Sequence, residues 1–216
     1  MNGRRWIKVV NNALWGFGEL CLKCTGSPAP LVPFKEKVLE ALVPLLLSQQ
    51  VGIVENAAAC IGRLAMVDGK GFGLETVMGG KMDIWFDGIG KIYDRVEKAD
   101  ALRGSLALVR AHPGLVMDES SRRSSVSAFM MMVASFHVRV YEEGGEFREL
   151  EHDDLHHATY MFEPWPQDLG EELRMALGGI IGNISAGLGA EGKEIFRVLP
   201  SNVKKLMVQQ WGVGGS

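Results

Sequence analysis

The chain has 216 residues, 47% of them hydrophobic and 23% charged, so we expect most of it to fold. Its formal net charge of −3 argues against a dedicated nucleic-acid-binding protein, which usually carries a basic face, and favours basic partners. Three cysteines argue against a disulfide framework, and the longest apolar run, Ala41–Leu47, is too short to cross a membrane, so we expect a soluble intracellular protein without a signal peptide.

Apolar residues at helical spacing recur along the chain, separated by segments that contain Gly and Pro. No segment shows the clear alternation that is typical of a strand. The predicted helices, in chain order, are Arg5–Lys23, Leu31–Ser48, Gly52–Met66, Glu75–Tyr93, Glu97–Ala111, Ser120–Tyr141, Gln167–Ala186 and Lys193–Gln210, the last with an interruption at Pro200.

Two motifs in these helical segments have the spacing of known binding sites, but the surrounding sequence does not support that function. Cys21 and Cys24 have the CxxC spacing of zinc and redox sites, but no second pair of ligands follows, and we interpret them as buried thiols. Residues 187–192 fit GxGxxG, but a dinucleotide-binding loop follows a strand, whereas this segment follows a predicted helix. We predict a turn between helices there, and no cofactor.

Residues 142–164 differ from the rest of the chain. They are acidic, rich in His and Gly, and lack a sustained helical stripe, so we predict a flexible insertion. Its acidic and histidine residues could gather a metal ion, but in a polar loop we expect them to be solvated, and we predict no metal site. These residues are His152, Asp153, Asp154, His156 and His157.

An internal repeat organises the predicted helices. Residues 10–20 align with residues 54–64 at an offset of 44, which lies in the range of HEAT and armadillo repeats. The identical pairs are Val10/Val54, Asn12/Asn56, Ala13/Ala57, Gly18/Gly62 and Leu20/Leu64. A further step of 44 reaches Asp100, Ala101 and Leu108, a weaker copy.

The repeat predicts an all-α HEAT-type solenoid of about four stacked antiparallel helix pairs. It would comprise HEAT repeats over 1–141, the insertion 142–164, a last repeat with a terminal helix over 165–211, and a frayed tail over 212–216.

Several ordered blocks resemble transportin, a nuclear import receptor of the karyopherin-beta (importin-beta) superfamily. The blocks are Asn11–Leu20, Glu55–Ala58 with Ile61–Leu64, Glu97–Gly104, His112–Val116, and Leu199–Leu206 followed by Trp211–Val213. The resemblance covers nearly all of the chain except the 142–164 insertion, and it corresponds to the carboxyl-terminal repeats of that family.

The resemblance implies a non-enzymatic receptor that shuttles between cytoplasm and nucleus. It implies that cargo proteins with proline-tyrosine nuclear localisation signals bind the concave face, which the second helix of each pair lines. Nucleoporins are further partners that it allows. The GTPase Ran would bind only through amino-terminal repeats that this chain does not match, and neither nucleic acid nor membrane is an expected partner.

Three residues of the first helix match family positions that contact the proline-tyrosine end of the signal: Ile7, Asn11 and Trp15. Their spacing of four residues places them in one broad helical stripe. An indole beside an aliphatic side chain offers an apolar slot, and an amide can bond an extended backbone. The repeat places Ala59 at the position equivalent to Trp15, and we expect Glu19 and Glu55 to steer basic cargo.

Three alternatives remain open at this point. Trp15 and Ile7 could be ordinary contacts between helices in the core. The chain could be a HEAT-repeat scaffold of a protein complex without a role in import. It could also be an enzyme or metalloprotein that uses the histidine-rich insertion.

Overall fold

The computed structural model describes residues 3–141, 147–148, 160–162 and 164–213, and most of them are helical. The α-helices are α1 (Gly3–Lys23), α2 (Lys35–Leu42), α3 (Val51–Met66), α4 (Met82–Lys91), α5 (Arg95–Ala111), α6 (Gly114–Met117), α7 (Arg122–Ser135), α8 (Glu171–Val198) and α9 (Ser201–Trp211). Short 3-10 helices lie at Val32–Phe34, Val43–Leu47, Leu74–Thr76 and Gln167–Leu169. None of the helices in these described ranges is long and apolar enough to cross a membrane.

The helices pack in two layers. In the first layer α1 lies against α3, and α3 lies against α5. In the second layer the 3-10 helix Val43–Leu47 contacts α4, α4 packs on α7, and α7 contacts α9, while α8 touches both α5 and α7. This arrangement confirms the predicted all-α stack of helix pairs.

Aromatic side chains fill the space between the layers. The fully buried Trp85 of α4 donates its indole N–H to the carbonyl of Ala58 in α3, with an N–O distance of 3.1 Å. Its neighbour Phe86 meets Phe129 of α7 edge to face, with ring centroids 5.3 Å apart. Large side chains buried at the junction of three helices fix the register of α3, α4 and α7.

The closest approach in the first layer occurs where α3 crosses α5. A Cβ atom added at Gly104 would collide with the backbone of Gly62, and one added at Gly62 would collide with Ala101. Two glycines therefore allow the helix backbones to touch.

Three predicted helices extend too far. The predicted helix Leu31–Ser48 is α-helical only over Lys35–Leu42, which lies between the 3-10 helices Val32–Phe34 and Val43–Leu47. The predicted helix Glu75–Tyr93 is a 3-10 turn followed by α4, which begins only at Met82, because Gly79 and Gly80 intervene and Gly80 adopts a positive φ of 65°. The predicted helix Ser120–Tyr141 ends at Ser135, and Val138–Tyr141 form strand β1. The β-branched residues at 138 and 140 favour the extended backbone that β1 adopts.

Strand β1 is the middle strand of a small antiparallel sheet. It pairs with β2 (Phe147–Arg148) on one side and β3 (Tyr160–Phe162) on the other. The sheet was not predicted, and β2 and β3 fall within the predicted flexible insertion. The rest of that insertion up to residue 163, including the five acidic and histidine residues named above, lies outside the described residues.

An aromatic cluster lies at the base of this sheet. His137 precedes β1, and Trp165 follows β3; their rings are 5.7 Å apart and meet edge to face. Both rings also contact Trp211 at the end of α9, each at 5.9 Å. The cluster therefore joins both ends of the sheet segment to the carboxyl-terminal helix.

The carboxyl-terminal helices confirm one predicted break and modify another. The predicted interruption at Pro200 is the boundary between α8 and α9. The predicted turn over residues 187–192 is a kink inside α8, where Gly189 adopts a φ of 51° and a ψ of −128°. Glycine tolerates this conformation because it has no Cβ atom.

Candidate functional site

The first candidate site lies on one flank of α1, the first helix of the stack. Leu14 and Cys21 face α3 and are 5% and 0% exposed, which fixes the rotation of the helix. Trp15 then points to solvent with 55% of its surface exposed, while Ile7 and Asn11 are half-buried between it and α3. We call Ile7, Asn11 and Trp15 the Trp15 flank. The indole is not sealed in the core, and its face is accessible to a ligand.

Asn11 makes the floor of this flank polar. Its Nδ2 atom lies 3.3 Å from where a Cβ atom at Gly52 would stand, so the first turn of α3 leaves room for the amide. Its Oδ1 atom is buried and has no hydrogen-bond partner in the described structure. A buried acceptor without a partner is costly.

Ala59 does not share this surface. It lies in α3 among the core residues and is 3% exposed. Ala59 and Trp15 occupy equivalent positions of the repeat but differ in exposure, because their helices have different neighbours. Helix α3 is covered on both sides, by α1 and by α5, whereas among the described residues α1 packs on α3 on one side alone. We leave Ala59 out of the proposed contact surface.

A buried charge network connects the three helices of the first layer. Arg63 of α3 is 4% exposed. Its guanidinium lies 3.0 Å from Glu19 of α1, and 3.3 Å from Asp100 of α5. Glu97 of α5 is 3.7 Å away. A guanidinium can be buried only when carboxylates compensate it, so this network holds α1, α3 and α5 in one register.

Sequence reasoning missed this network, although a signal for it was present. Glu19 and Arg63 are 44 residues apart and thus occupy equivalent positions of the repeat. Equivalent positions on adjacent helices of a stack are close neighbours, so opposite charges there indicate an ion pair. The predicted steering role of Glu19 is weakened accordingly, because Arg63 already compensates its carboxylate.

Glu55 lies on α3 between the Trp15 flank and α5, and it is half-buried. Burial raises the pKa of its carboxyl above the usual value, nearby Lys98 lowers it, and Glu97 raises it. Burial likewise raises the pKa of Glu97, and Arg63 opposes that shift. These two carboxyls make this part of the first layer acidic.

The raised pKa of Glu55 leads to a pH-dependent expectation. The folded protein holds this proton more tightly than the unfolded chain, where a glutamate pKa is about 4.3. The resulting stabilisation is fully present below that pKa and is lost as the pH rises through the folded pKa.

We expect Glu55→Gln to gain stability relative to the unsubstituted protein between about pH 4 and about pH 7. Chemical denaturation at both pH values measures this, with exposed Glu172→Gln as a control for net charge. A stability difference that does not change with pH would contradict the assignment.

The structure agrees with the interpretation of Cys21 and Cys24 as buried thiols. Cys21, Cys24 and Cys60 are free and buried. Across the ranges that the structure describes, no three His, Cys, Asp or Glu side chains are grouped so that they could hold a metal ion.

Comparison with known proteins identifies a relationship over part of the chain. Over 114 residues it is 33% identical to Transportin-1 of Oryza sativa subsp. japonica, and the match covers 50% of this chain and 12% of the rice protein. Over 109 residues it is 26% identical to Transportin of Dictyostelium discoideum, covering 50% of this chain and 11% of that protein. The matches thus span about a tenth of the length of these curated relatives. The chain matches no protein-family model. Half of this chain is therefore related, at a distance, to transportins.

Proposed function

We propose that this chain, half of which is related to transportins, is the carboxyl-terminal, cargo-binding part of a nuclear import receptor. In this proposal it is not an enzyme. It shuttles between cytoplasm and nucleus with bound cargo proteins. Nucleoporins are possible further partners. The GTPase Ran binds through repeats that this chain does not match. The observation that carries the proposal is the exposed Trp15 beside Ile7 and Asn11 on the first helix.

The ligand that this flank fits best is an extended peptide with a proline-tyrosine pair. The exposed indole and the aliphatic side chain of Ile7 offer a flat apolar surface, on which a proline ring and a phenol ring can stack. The side-chain amide of half-buried Asn11 lies on the same flank and can hydrogen-bond an extended peptide backbone. A folded domain would need a much larger continuous surface.

Charge supports a basic segment in the same peptide. Glu55 is half-buried on α3, the helix that follows α1 in the first layer, and burial raises the pKa of its carboxyl. A cationic side chain placed beside it would lower this pKa and stabilise the charged form. A peptide that crosses from α1 onto α3 would therefore place its proline-tyrosine pair on Trp15 and a basic residue on Glu55.

A fluorescence titration with a labelled basic proline-tyrosine peptide tests the proposal. We expect saturable binding that Trp15→Ala weakens by about tenfold or more, since a central aromatic contact contributes about 2 kcal/mol. Trp6→Ala is the matched control, because it removes an indole that is 69% exposed on the opposite flank of the same helix. Equal loss in both variants, or none in Trp15→Ala, would count against the site.

The alternative of a scaffold without an import role predicts a different result. A scaffold would show no preference between the proline-tyrosine peptide and a version with alanine at both positions. A purified complex with one fixed partner would then replace the peptide as the physiological ligand.

A further inference from the structure

A cavity lies beside α8, where this helix bends at Gly189. Its volume is about 440 Å³, within the range of about 300–1,000 Å³ that is typical of small-molecule sites. Its wall comes from α7, from α8 and from Val213, which follows α9, and these three helices contact one another. The cavity is therefore a hollow inside one packed unit. A neighbouring repeat of the stack would lie over its mouth at most and would not fill it.

The bend in α8 gives the cavity its shape. Gly189 adopts a φ of 51° and a ψ of −128°, a conformation that residues with a Cβ atom avoid. Before the bend, a Cβ atom added at Gly187 would lie 3.1 Å from the terminal methyl group of Met117. After the bend, Glu191 accepts a hydrogen bond from the guanidinium of Arg122 in α7 at 2.7 Å. Contacts on both sides of Gly189 thus hold the bent helix against α7 and its preceding turn.

The wall of the cavity is apolar, and its mouth is charged. Most of the wall consists of aliphatic side chains and one thioether, all of them buried except the last, which is half-buried. They are Val126, Met130, Leu188, Ile195, Leu199 and Val213. Lys193, Glu194 and Arg197 also line the cavity, and all three are exposed, so they lie at its mouth. An apolar wall with a few charged groups at one end binds an apolar body and fixes its orientation.

The charges at the mouth are not balanced. Arg197 lies 3.0 Å from Glu194, so these two charges compensate each other. Lys193 has no such partner among the described residues, and it leaves the mouth with a net positive charge. An ammonium group in this position attracts an anionic group and repels a cation.

We propose that this cavity binds a small amphipathic carboxylate. Its aliphatic tail lies against the apolar wall, and its carboxylate lies at the mouth beside Lys193. A peptide fits less well, because its backbone N–H and C=O groups would face an apolar wall without partners. Ser185 is the single uncharged polar side chain among the residues that line the cavity.

Methyl NMR of the full chain with carbon-13-labelled methionines tests the site, with octanoate as the probe. Met130 is buried in the cavity wall, and Met130→Leu assigns its signal. We expect this signal to shift with saturation, at a dissociation constant of roughly 0.1–1 mM for a tail of this length. The signal of Met78, which is buried outside the cavity wall, should stay in place. A Met130 signal that octanoate does not shift, or shifts without saturation, would overturn the proposal.

Lys193→Glu tests the position of the carboxylate. We expect it to weaken octanoate binding by about fivefold, because an attraction between exposed charges becomes a repulsion, and to leave the binding of octanol unchanged. Lys205→Glu is the matched control, since it makes the same charge change at an exposed residue of α9 outside the cavity wall. Equal losses for octanoate and octanol, or no loss for octanoate, would overturn the role of Lys193. Trp15→Ala should leave octanoate binding intact, so this proposal and the proposed peptide site can fail separately.

Discussion

Replacing Gly104 with alanine is expected to destabilise the protein by about 3 kcal/mol. The added Cβ atom would collide with the carbonyl oxygen of Gly62, a backbone atom that cannot rotate away as a side chain can. The collision would separate α3 from α5 and disturb the first layer at its tightest point. Urea denaturation of the two proteins measures the difference.

Gly182→Ala is the matched control for that experiment. Gly182 is exposed inside α8, and no atom lies within 4 Å of an added Cβ. Alanine there should stabilise the helix by about 0.5–1 kcal/mol, because glycine loses more backbone entropy on folding. If both variants changed stability by the same amount, the close approach of α3 and α5 would not be the cause.

Arg63→Met is expected to cost about 3–5 kcal/mol, since it leaves the partly buried carboxylate of Glu97 without its cation and leaves Asp100 with Arg103 alone. The methionine fills most of the vacated volume, so the loss reports charge rather than a cavity. Adding Glu97→Gln to this variant should restore part of the stability, because it removes the uncompensated charge. Thermal or urea denaturation of the single and double variants measures both effects.

Arg197→Met provides the comparison for an exposed ion pair. Arg197 lies 3.0 Å from Glu194 on the surface of α8, and the two side chains are 75% and 56% exposed. We expect a change within about 0.5 kcal/mol. Similar losses at Arg63 and Arg197 would show that the buried network does not hold the first layer together.

The helices of the first layer were predictable because their apolar residues follow the helical period and clear breakers end them. The predicted and observed boundaries of α1, α3 and α5 differ by at most two residues, as in Arg5–Lys23 against Gly3–Lys23. Asp94 adds a local start signal for α5, since its carboxylate accepts the N–H groups of Val96 and Glu97.

The small sheet was harder to predict because its information is not local. Val138 and Val140 are β-branched, but the strand forms only with a partner, and Tyr160–Phe162 lies some twenty residues away. A pattern search within one window extends the preceding helix instead. Pairing over such a separation depends on tertiary contacts, here at the aromatic cluster around Trp165.

The candidate site shows the same division between local and tertiary information. Helical spacing placed Ile7, Asn11 and Trp15 on one flank, as observed. Exposure of Ala59 could not be inferred from its equivalence with Trp15, because exposure depends on how many neighbours cover each helix.

The most direct test of the account observes the indole N–H signals of the chain by nitrogen-15 NMR during titration with the basic proline-tyrosine peptide. The five tryptophans give separate reporters, and single Trp→Phe variants assign them. We expect the Trp15 signal to shift with saturation, while the fully buried Trp85, bonded to Ala58, stays in place. Saturable binding that moves other indoles and leaves the Trp15 signal unchanged would contradict the proposed peptide site.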